Sequence, residues 1–384
     1  MDANTPSRLT GSHASWPSRC DHIALVLQGG GALGAYQAGV YQALHENGLE
    51  PSWINGVSIG GVNAAIIAGN PPERRIERLR EFWDMVTSRQ IWLWSPDGDD
   101  PRKLRNAWSA WLTMTLGTPG FFTPHHPNPL LSLRGASTAT SFYDNHPLRE
   151  TLHRLVDFEL LNSGDVRYAC GAVHVGTGNF RYFDNAQVAI LPEHVVASAA
   201  MPPGLPMVRI GTDYYWDGGV VSNTPLQHLL ENTGSDNVLV FQIDLFSARG
   251  ALPRDMADVL GRMKDISFSS RTRLVTDYYM AQHRQKLIQK KLLAKIPEDR
   301  LDDGERALRE ELANLPEITI LQMIYQQKAY EGQAKDYEFS GTSMREHWDA
   351  GYDDTLRTLS HRDWLAMAPE DGGVIVHDVH RIED

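Results

Sequence analysis

The chain of 384 residues is long enough for one large domain or two ordinary ones, and its 42% hydrophobic and 22% charged residues describe a soluble globular protein. A formal net charge of −12 argues against nucleic acid as its main partner. No run of about eighteen consecutive apolar residues occurs, so no transmembrane helix is expected and any membrane contact is expected to be peripheral.

Residues 1–20 are polar and rich in Ser, Pro, Thr and Arg, without the apolar core of a secretory signal. They read as a disordered leader. Ile23-Ala24-Leu25-Val26-Leu27 is a continuous apolar run and reads as a fully buried strand. Gly29 to Gly34 form a turn, and Leu33, Tyr36, Val40 and Leu44 mark a helix that runs to about Asn47, where Gly48 ends it. Pro51–Asn55 is strand-compatible. It leads into Gly56-Val57-Ser58-Ile59-Gly60, followed by a small-residue helix that Gly69-Asn70-Pro71-Pro72 stops. Strand, glycine turn, helix, strand, sharp turn, helix predicts a parallel sheet covered by helices.

Residues 72–88 read as another helix, and 89–145, rich in Trp, Pro, Gly and Thr, as an insertion or lid. Strands are expected at Arg167–Val175 and Arg181–Phe183, and a short helix near Glu193–Ala200. Tyr214-Tyr215-Trp216 reads as a strand leading into Asp217-Gly218-Gly219, and Asn237–Asp244 as a buried strand. Beyond about residue 252 the chain is expected to be mostly helical and charged, with one apolar run at Ile318–Ile324.

The chemistry centres on Ser58. A G-x-S-x-G pentapeptide between a strand and a helix is the pattern of a nucleophile elbow, in which the chain turns so sharply that the hydroxyl projects into a cleft. Gly56 and Gly60 suit the crowded flanks of such a turn. A serine hydroxyl needs a base and an oxyanion site. Gln28-Gly29-Gly30-Gly31-Ala32-Leu33-Gly34 follows the first strand and opens a helix, so its unpaired N–H groups and the helix dipole can receive an oxyanion. The same glycines spell G-x-G-x-x-G, but a dinucleotide site needs an acid at the end of the second strand, and that strand ends in Gly56-Val57-Ser58. For the base, His174, His194, His228, His283 and His347 lie C-terminal to the elbow without an evident turn motif. Asp217 stands at a strand end before two glycines, where a carboxylate can take the serine proton directly if it lies within reach.

Gly29–Gly34, Gly56–Gly60 and Asp217–Gly219, with the small-residue segment Ala197–Pro202, resemble the signatures of the patatin-like phospholipase family in order and setting. The resemblance covers about residues 22–245. It implies a three-layer α/β/α fold with a central, mostly parallel sheet. It also implies a Ser–Asp dyad without histidine, with Ser58 as nucleophile and Asp217 as base. Gly29, Gly30, Gly31 and Gly34 would form the oxyanion loop, supported by Gly56, Gly60, Gly218 and Gly219. The implied activity is hydrolysis of lipid acyl esters through an acyl-enzyme. No cofactor or metal is expected: there is no D-x-[DN]-x-[DN]-G loop, and His125-His126 lacks a third ligand. The rival readings are an α/β-hydrolase esterase with a Ser-His-Asp triad, acting on small or hydroxyalkanoate esters, and a non-catalytic lipid-binding protein.

The expected domains are a catalytic domain over 22–245, with its insertion at 89–145, and a mostly helical extension over 250–384. Trp83, Trp92, Trp94, Trp108 and Trp111, with Phe121 and Phe122, are expected to pack a small extra core, the alternative being an apolar lid. Residues 262–295 carry nine Lys or Arg against two acids and read as a solvated helix face, the alternative being a basic amphipathic face for anionic lipid headgroups. The aromatic and charged stretch 335–348 resembles a C-terminal region attached to some bacterial patatin-like proteins, with packing or homo-oligomer formation as its expected role. Cys20 and Cys170 make no metal-ligand spacing and fit a reduced compartment, so the expected location is the cytoplasm.

Overall fold

The computed structural model describes residues 19–89, 98–368 and 373–379, excepting the side chains of 270–273. Nine strands build the central sheet: β1 (His22–Leu27), β2 (Trp53–Val57), β3 (Arg167–His174), β4 (Phe180–Asp184), β5 (Val208–Ile210), β6 (Asp213–Asp217), β7 (Val238–Asp244), β8 (Ile318–Ile324) and β9 (Val374–Asp378). Their order is β9-β8-β7-β1-β2-β3-β6-β5, with β4 also paired to β3. The six strands from β9 to β3 run parallel, and the pairings of β3 with β4, β3 with β6 and β5 with β6 are antiparallel. β1 and β7 lie in the middle and are apolar almost throughout, as strands covered on both faces must be.

Helices flank the sheet. Those that position the site are α1 (Ala35–Glu46), α2 (Ile59–Ala68), α3 (Pro72–Val86), α4 (Asp99–Leu116), α5 (Pro192–Ser198), α6 (Met256–Leu293) and α7 (Gly341–Ser360). α2 is buried at every position, which explains why its sequence lacks any polar face. Trp83 of α3 is also core, its indole N–H donating to Asn63 Oδ1 at 3.1 Å.

The C-terminal part enters the same sheet. The apolar run Ile318–Ile324 pairs along its whole length with β7, and β9 then pairs with it. α7 docks on α1 where two glycines allow the backbones to touch. A Cβ at Gly39 would lie 1.9 Å from the carbonyl oxygen of Trp348, and one at Gly351 would lie 2.0 Å from that of Tyr36. The Tyr36 hydroxyl then donates to Asp354 Oδ2 at 2.8 Å.

The tryptophans divide, against the expectation of one extra core. Trp92 and Trp94 lie outside the described residues. Trp108 and Trp111 project from α4 with 55% and 51% of their surface exposed, whereas Phe121 and Phe122 are buried. α4 has one thin buried stripe, Asn106, Ala110 and Thr113, and among the described residues its opposite face is exposed.

Gly351→Ala is expected to destabilise the protein by about 1–3 kcal/mol in chemical denaturation, because neither backbone can retreat. Gly332→Ala, where a Cβ meets nothing, should stay within about 0.5 kcal/mol of the parent.

Candidate active site

The elbow is built by close approach. A Cβ at Gly56 would lie 2.3 Å from the Gly60 carbonyl oxygen, and one at Gly60 would lie 2.3 Å from that of Leu27, so a larger residue at Gly56 would force β2 from α2 and one at Gly60 would force α2 from β1. Between them Ser58 adopts φ 57° and ψ −130°, one of two described non-glycine residues with positive φ. Its N–H is held by Ser198 through both the carbonyl at 3.0 Å and the hydroxyl at 3.1 Å. That leaves the half-buried side chain facing a cavity of about 280 Å³.

Strand register brings Asp217 to the same level. Val57 pairs with Gly171, and the next residue, Ala172, pairs with Asp217. Serine and aspartate thus flank β3 where it carries its smallest residues. Asp217 is completely buried. Oδ1 accepts the Gly219 N–H at 2.7 Å, while Oδ2 has no hydrogen-bond partner among the described residues. Burial pushes the carboxyl up to about 7, a rise that the Gly219 amide and the nearby Ser58 hydroxyl, which stops short of a full hydrogen bond to Oδ2, partly oppose. Asp184 shows the contrast. Burial would raise it too, but His228 at 2.9 Å and Arg167 at 2.8 Å hold it down at about 2.

The glycine loop closes a third side. Gly29, Gly30 and Gly31 line the cavity with Ser58, whereas Gly34 does not and instead packs against Ile59 and Trp83 at the start of α1. The Gly29 N–H already donates to the Asn223 carbonyl at 3.2 Å. The N–H groups of Gly30 and Gly31 make no such backbone bond among the described residues and open the 3₁₀ turn Gly31–Gly34, where N–H groups go unpaired. Gly31 has φ +54°, and its open face lies against the Asp336 carbonyl.

Sequence reasoning missed several residues here. Asn223 returns a second bond to the loop, Nδ2 donating to the Gly29 carbonyl at 2.9 Å, and so ties it to the segment after Asp217. Gln28 is buried and accepts the N–H groups of Leu245 at 2.6 Å and Phe246 at 3.0 Å, fixing the loop to the end of β7. Phe246, Lys264, Phe268, Asp336, Tyr337 and Phe339 line the cavity from beyond residue 245, together with Phe121, Phe122 and Met201. Nothing in local spacing signals these contacts.

None of the histidines weighed as a base lines this cavity. His174 faces Asp213, His194 accepts the Leu191 N–H, His228 pairs with Asp184, His283 stacks on Tyr279 and His347 pairs with Glu331. Among the described residues no group of three or more His, Cys, Asp or Glu could hold a metal, and no helix is long and apolar enough to cross a membrane.

A strained serine at a strand–helix turn, a buried acid on the neighbouring strand register and a glycine-lined apolar cavity thus lie together on an α/β fold. The chain belongs to the patatin-like phospholipase family: the model described as patatin-like phospholipase matches residues 25–230. A second model, described as patatin phospholipase, matches residues 266–371. Lysophospholipase NTE1 of Cryptococcus neoformans var. neoformans is 28% identical over 239 residues, 62% of this chain and 12% of the relative. Triacylglycerol lipase ptl3 of Schizosaccharomyces pombe is 44% identical over 61 residues, 16% of this chain and 13% of the relative. The chain therefore matches a minor part of these relatives' length. The crystal structure of VipD from Legionella pneumophila aligns over 88% of this chain and 67% of that one, with a TM-score of 0.39 and 16% identity. At those values it adds nothing to the family match.

The burial of Asp217 has a consequence for stability. Its folded pKa of about 7 lies above the unfolded value, so its contribution is fully present below about pH 4 and is lost as pH rises through 7, by about 4 kcal/mol. Asp217→Asn, neutral throughout, should therefore gain melting temperature over the parent between pH 4 and pH 8 and converge with it below pH 4. A difference that stays constant across this range would contradict the assignment.

Proposed function

We propose that the protein is a serine acyl-ester hydrolase acting on lipids through a Ser58–Asp217 dyad. The observation that carries this reading is the buried Asp217 carboxylate, one oxygen unpaired, set level with a serine on a strained turn. A base tuned near the working pH gives efficient proton transfer, and burial alone supplies that tuning here.

Asp217 takes the hydroxyl proton as Ser58 Oγ forms a bond to the ester carbonyl carbon. Negative charge then develops on the carbonyl oxygen. The N–H groups of Gly30 and Gly31 receive it, helped by the positive end of α2. The C–O bond to the alcohol breaks as the protonated carboxyl returns its proton to the leaving oxygen. Water, deprotonated by the same carboxylate, attacks the acyl-enzyme and releases the fatty acid and free serine. The apolar wall of Phe121, Phe122, Phe246, Phe268 and Phe339 suits one acyl chain. A triad esterase is disfavoured because the candidate histidines are engaged away from the serine.

The surface beside the cavity supports a lipid partner. α4 exposes Leu104, Trp108 and Trp111 at helical spacing, and α6 exposes Met256, Val259, Leu260, Met263 and Ile266. The two helices border one cleft, joined by Lys103 and Asp258 at 3.6 Å. The Tyr143 hydroxyl, from the cavity wall, donates to the Met114 carbonyl at 2.8 Å and so places the end of α4 at the cavity. Trp and Met on an exposed apolar face beside a lipid-sized cavity suit a membrane interface.

Two assays test this reading. Ser58→Ala and Asp217→Asn should each lower kcat on a soluble short-chain ester by about 10⁴-fold with the fold retained by circular dichroism, and near-normal turnover of either would overturn the dyad. Trp108→Ser with Trp111→Ser should cut hydrolysis of phosphatidylcholine vesicles at least tenfold and leave the soluble ester unchanged. Equal rates on vesicles, or a change from dimer to monomer in place of lost vesicle binding, would contradict the lipid-surface reading.

A further inference from the structure

Two neighbouring ion pairs cross between α6 and the short 3₁₀ turn Lys335–Tyr337. Lys264 and Asp265 are consecutive on α6, and Lys335 and Asp336 are consecutive in the turn. Lys264 Nζ meets Asp336 Oδ1 at 2.7 Å, and Lys335 Nζ meets Asp265 Oδ1 at 2.7 Å. Each lysine holds a further oxygen: Lys264 the Gln333 carbonyl at 2.9 Å, Lys335 the Gln327 Oε1 at 2.8 Å. A single ion pair lets the partners pivot. Two reciprocal pairs on adjacent residues fix both the height and the rotation of the turn against the helix.

The turn in turn bears on the catalytic loop. The Asp336 carbonyl lies so close to Gly31 that a Cβ there would sit 2.2 Å from its oxygen. On the other side Gly30 packs on Leu245 and Phe246, and Asn223 bonds the Gly29 carbonyl. The last two supports come from segments next to the sheet within the first 246 residues. The first comes from the C-terminal region and depends on charge.

We propose that the crossed pairs Lys264–Asp336 and Lys335–Asp265 are positioning elements of the reaction. They hold the Asp336 backbone against Gly31, and so keep the loop N–H groups at the distance that the developing oxyanion needs. This rests on reading Ser58 as nucleophile and Gly30–Gly31 as the oxyanion site, and it makes the C-terminal region a working part of the active site. The effects on rate and on stability should separate. A partly exposed pair contributes little to folding, and Lys264 is about a quarter exposed, whereas a displacement of about 1 Å in a catalytic group costs about 10²-fold in rate.

The test uses the full chain with a soluble short-chain ester, comparing the parent, Ser58→Ala, Lys264→Glu, Asp336→Lys, the Lys264→Glu/Asp336→Lys double variant and the milder Asp336→Asn. Each single reversal should lower kcat at least tenfold with the melting temperature close to the parent's. The double variant should recover to within threefold of the parent, and Asp336→Asn should fall between. Undiminished kcat in the single variants overturns the proposal. So does a loss of kcat that tracks melting temperature and is not recovered in the double variant, because both outcomes leave the pairs merely structural. If a reversal variant does not fold, Asp336→Asn decides by the same kcat criterion. An inactive parent, or a Ser58→Ala protein as active as the parent, overturns the hydrolase reading and this proposal with it.

Discussion

A carboxylate sealed from water beside a serine is the constraint around which this molecule is arranged. Burying Asp217 opposes its ionisation, and the fold offers it one backbone amide instead of a cation. The consequence is a carboxyl poised near neutrality where Asp184, also without solvent-exposed surface but paired with Arg167 and His228, stays an anion. The register of three strands makes the poise useful. Gly171 and Ala172 on β3 set the serine of one neighbour and the aspartate of the other at one level.

The same constraint explains why the C-terminal region is not an appendage. β8 and β9 extend the sheet from β7, and α7 rests on α1 through two glycine contacts. Between these anchors the chain passes over the glycine loop and supplies Asp336, Tyr337 and Phe339 to the cavity. The cavity is thus walled by residues more than a hundred positions apart. Beside the same cavity, among the described residues, lie the exposed apolar face of α4 and the first turns of α6.

What local chemistry dictates was legible in the sequence. The apolar run at Ile23–Leu27, the glycines around Ser58 and the Asp-Gly-Gly turn each follow from short-range sterics, and the structure puts the first two in the parallel part of the sheet and the third at the end of the antiparallel strand β6. What depends on long-range closure was not legible. Ile318–Ile324 stood out as apolar in a helical, charged region, but nothing nearby says that it completes the sheet beside β7. Lys264 and Asp336 are ordinary surface charges until the fold pairs them across 72 positions. The Gly29 amide looks free in a glycine-rich turn, yet Asn223 occupies it from 194 residues away, and Gly34 belongs to helix packing. Trp108 and Trp111 read as core by residue type, but the buried stripe of α4 runs along its other side.

The central claim is that Asp217 deprotonates Ser58 from a buried position. The rate at which a fluorophosphonate labels Ser58, located by peptide mass mapping across pH 5 to 9, measures this directly. The account requires the rate to rise with pH through an apparent pKa near 7, as the carboxyl becomes available as a base, and the titration to vanish in Asp217→Asn. A profile flat over that range, or one that persists unchanged without the carboxylate, would contradict it.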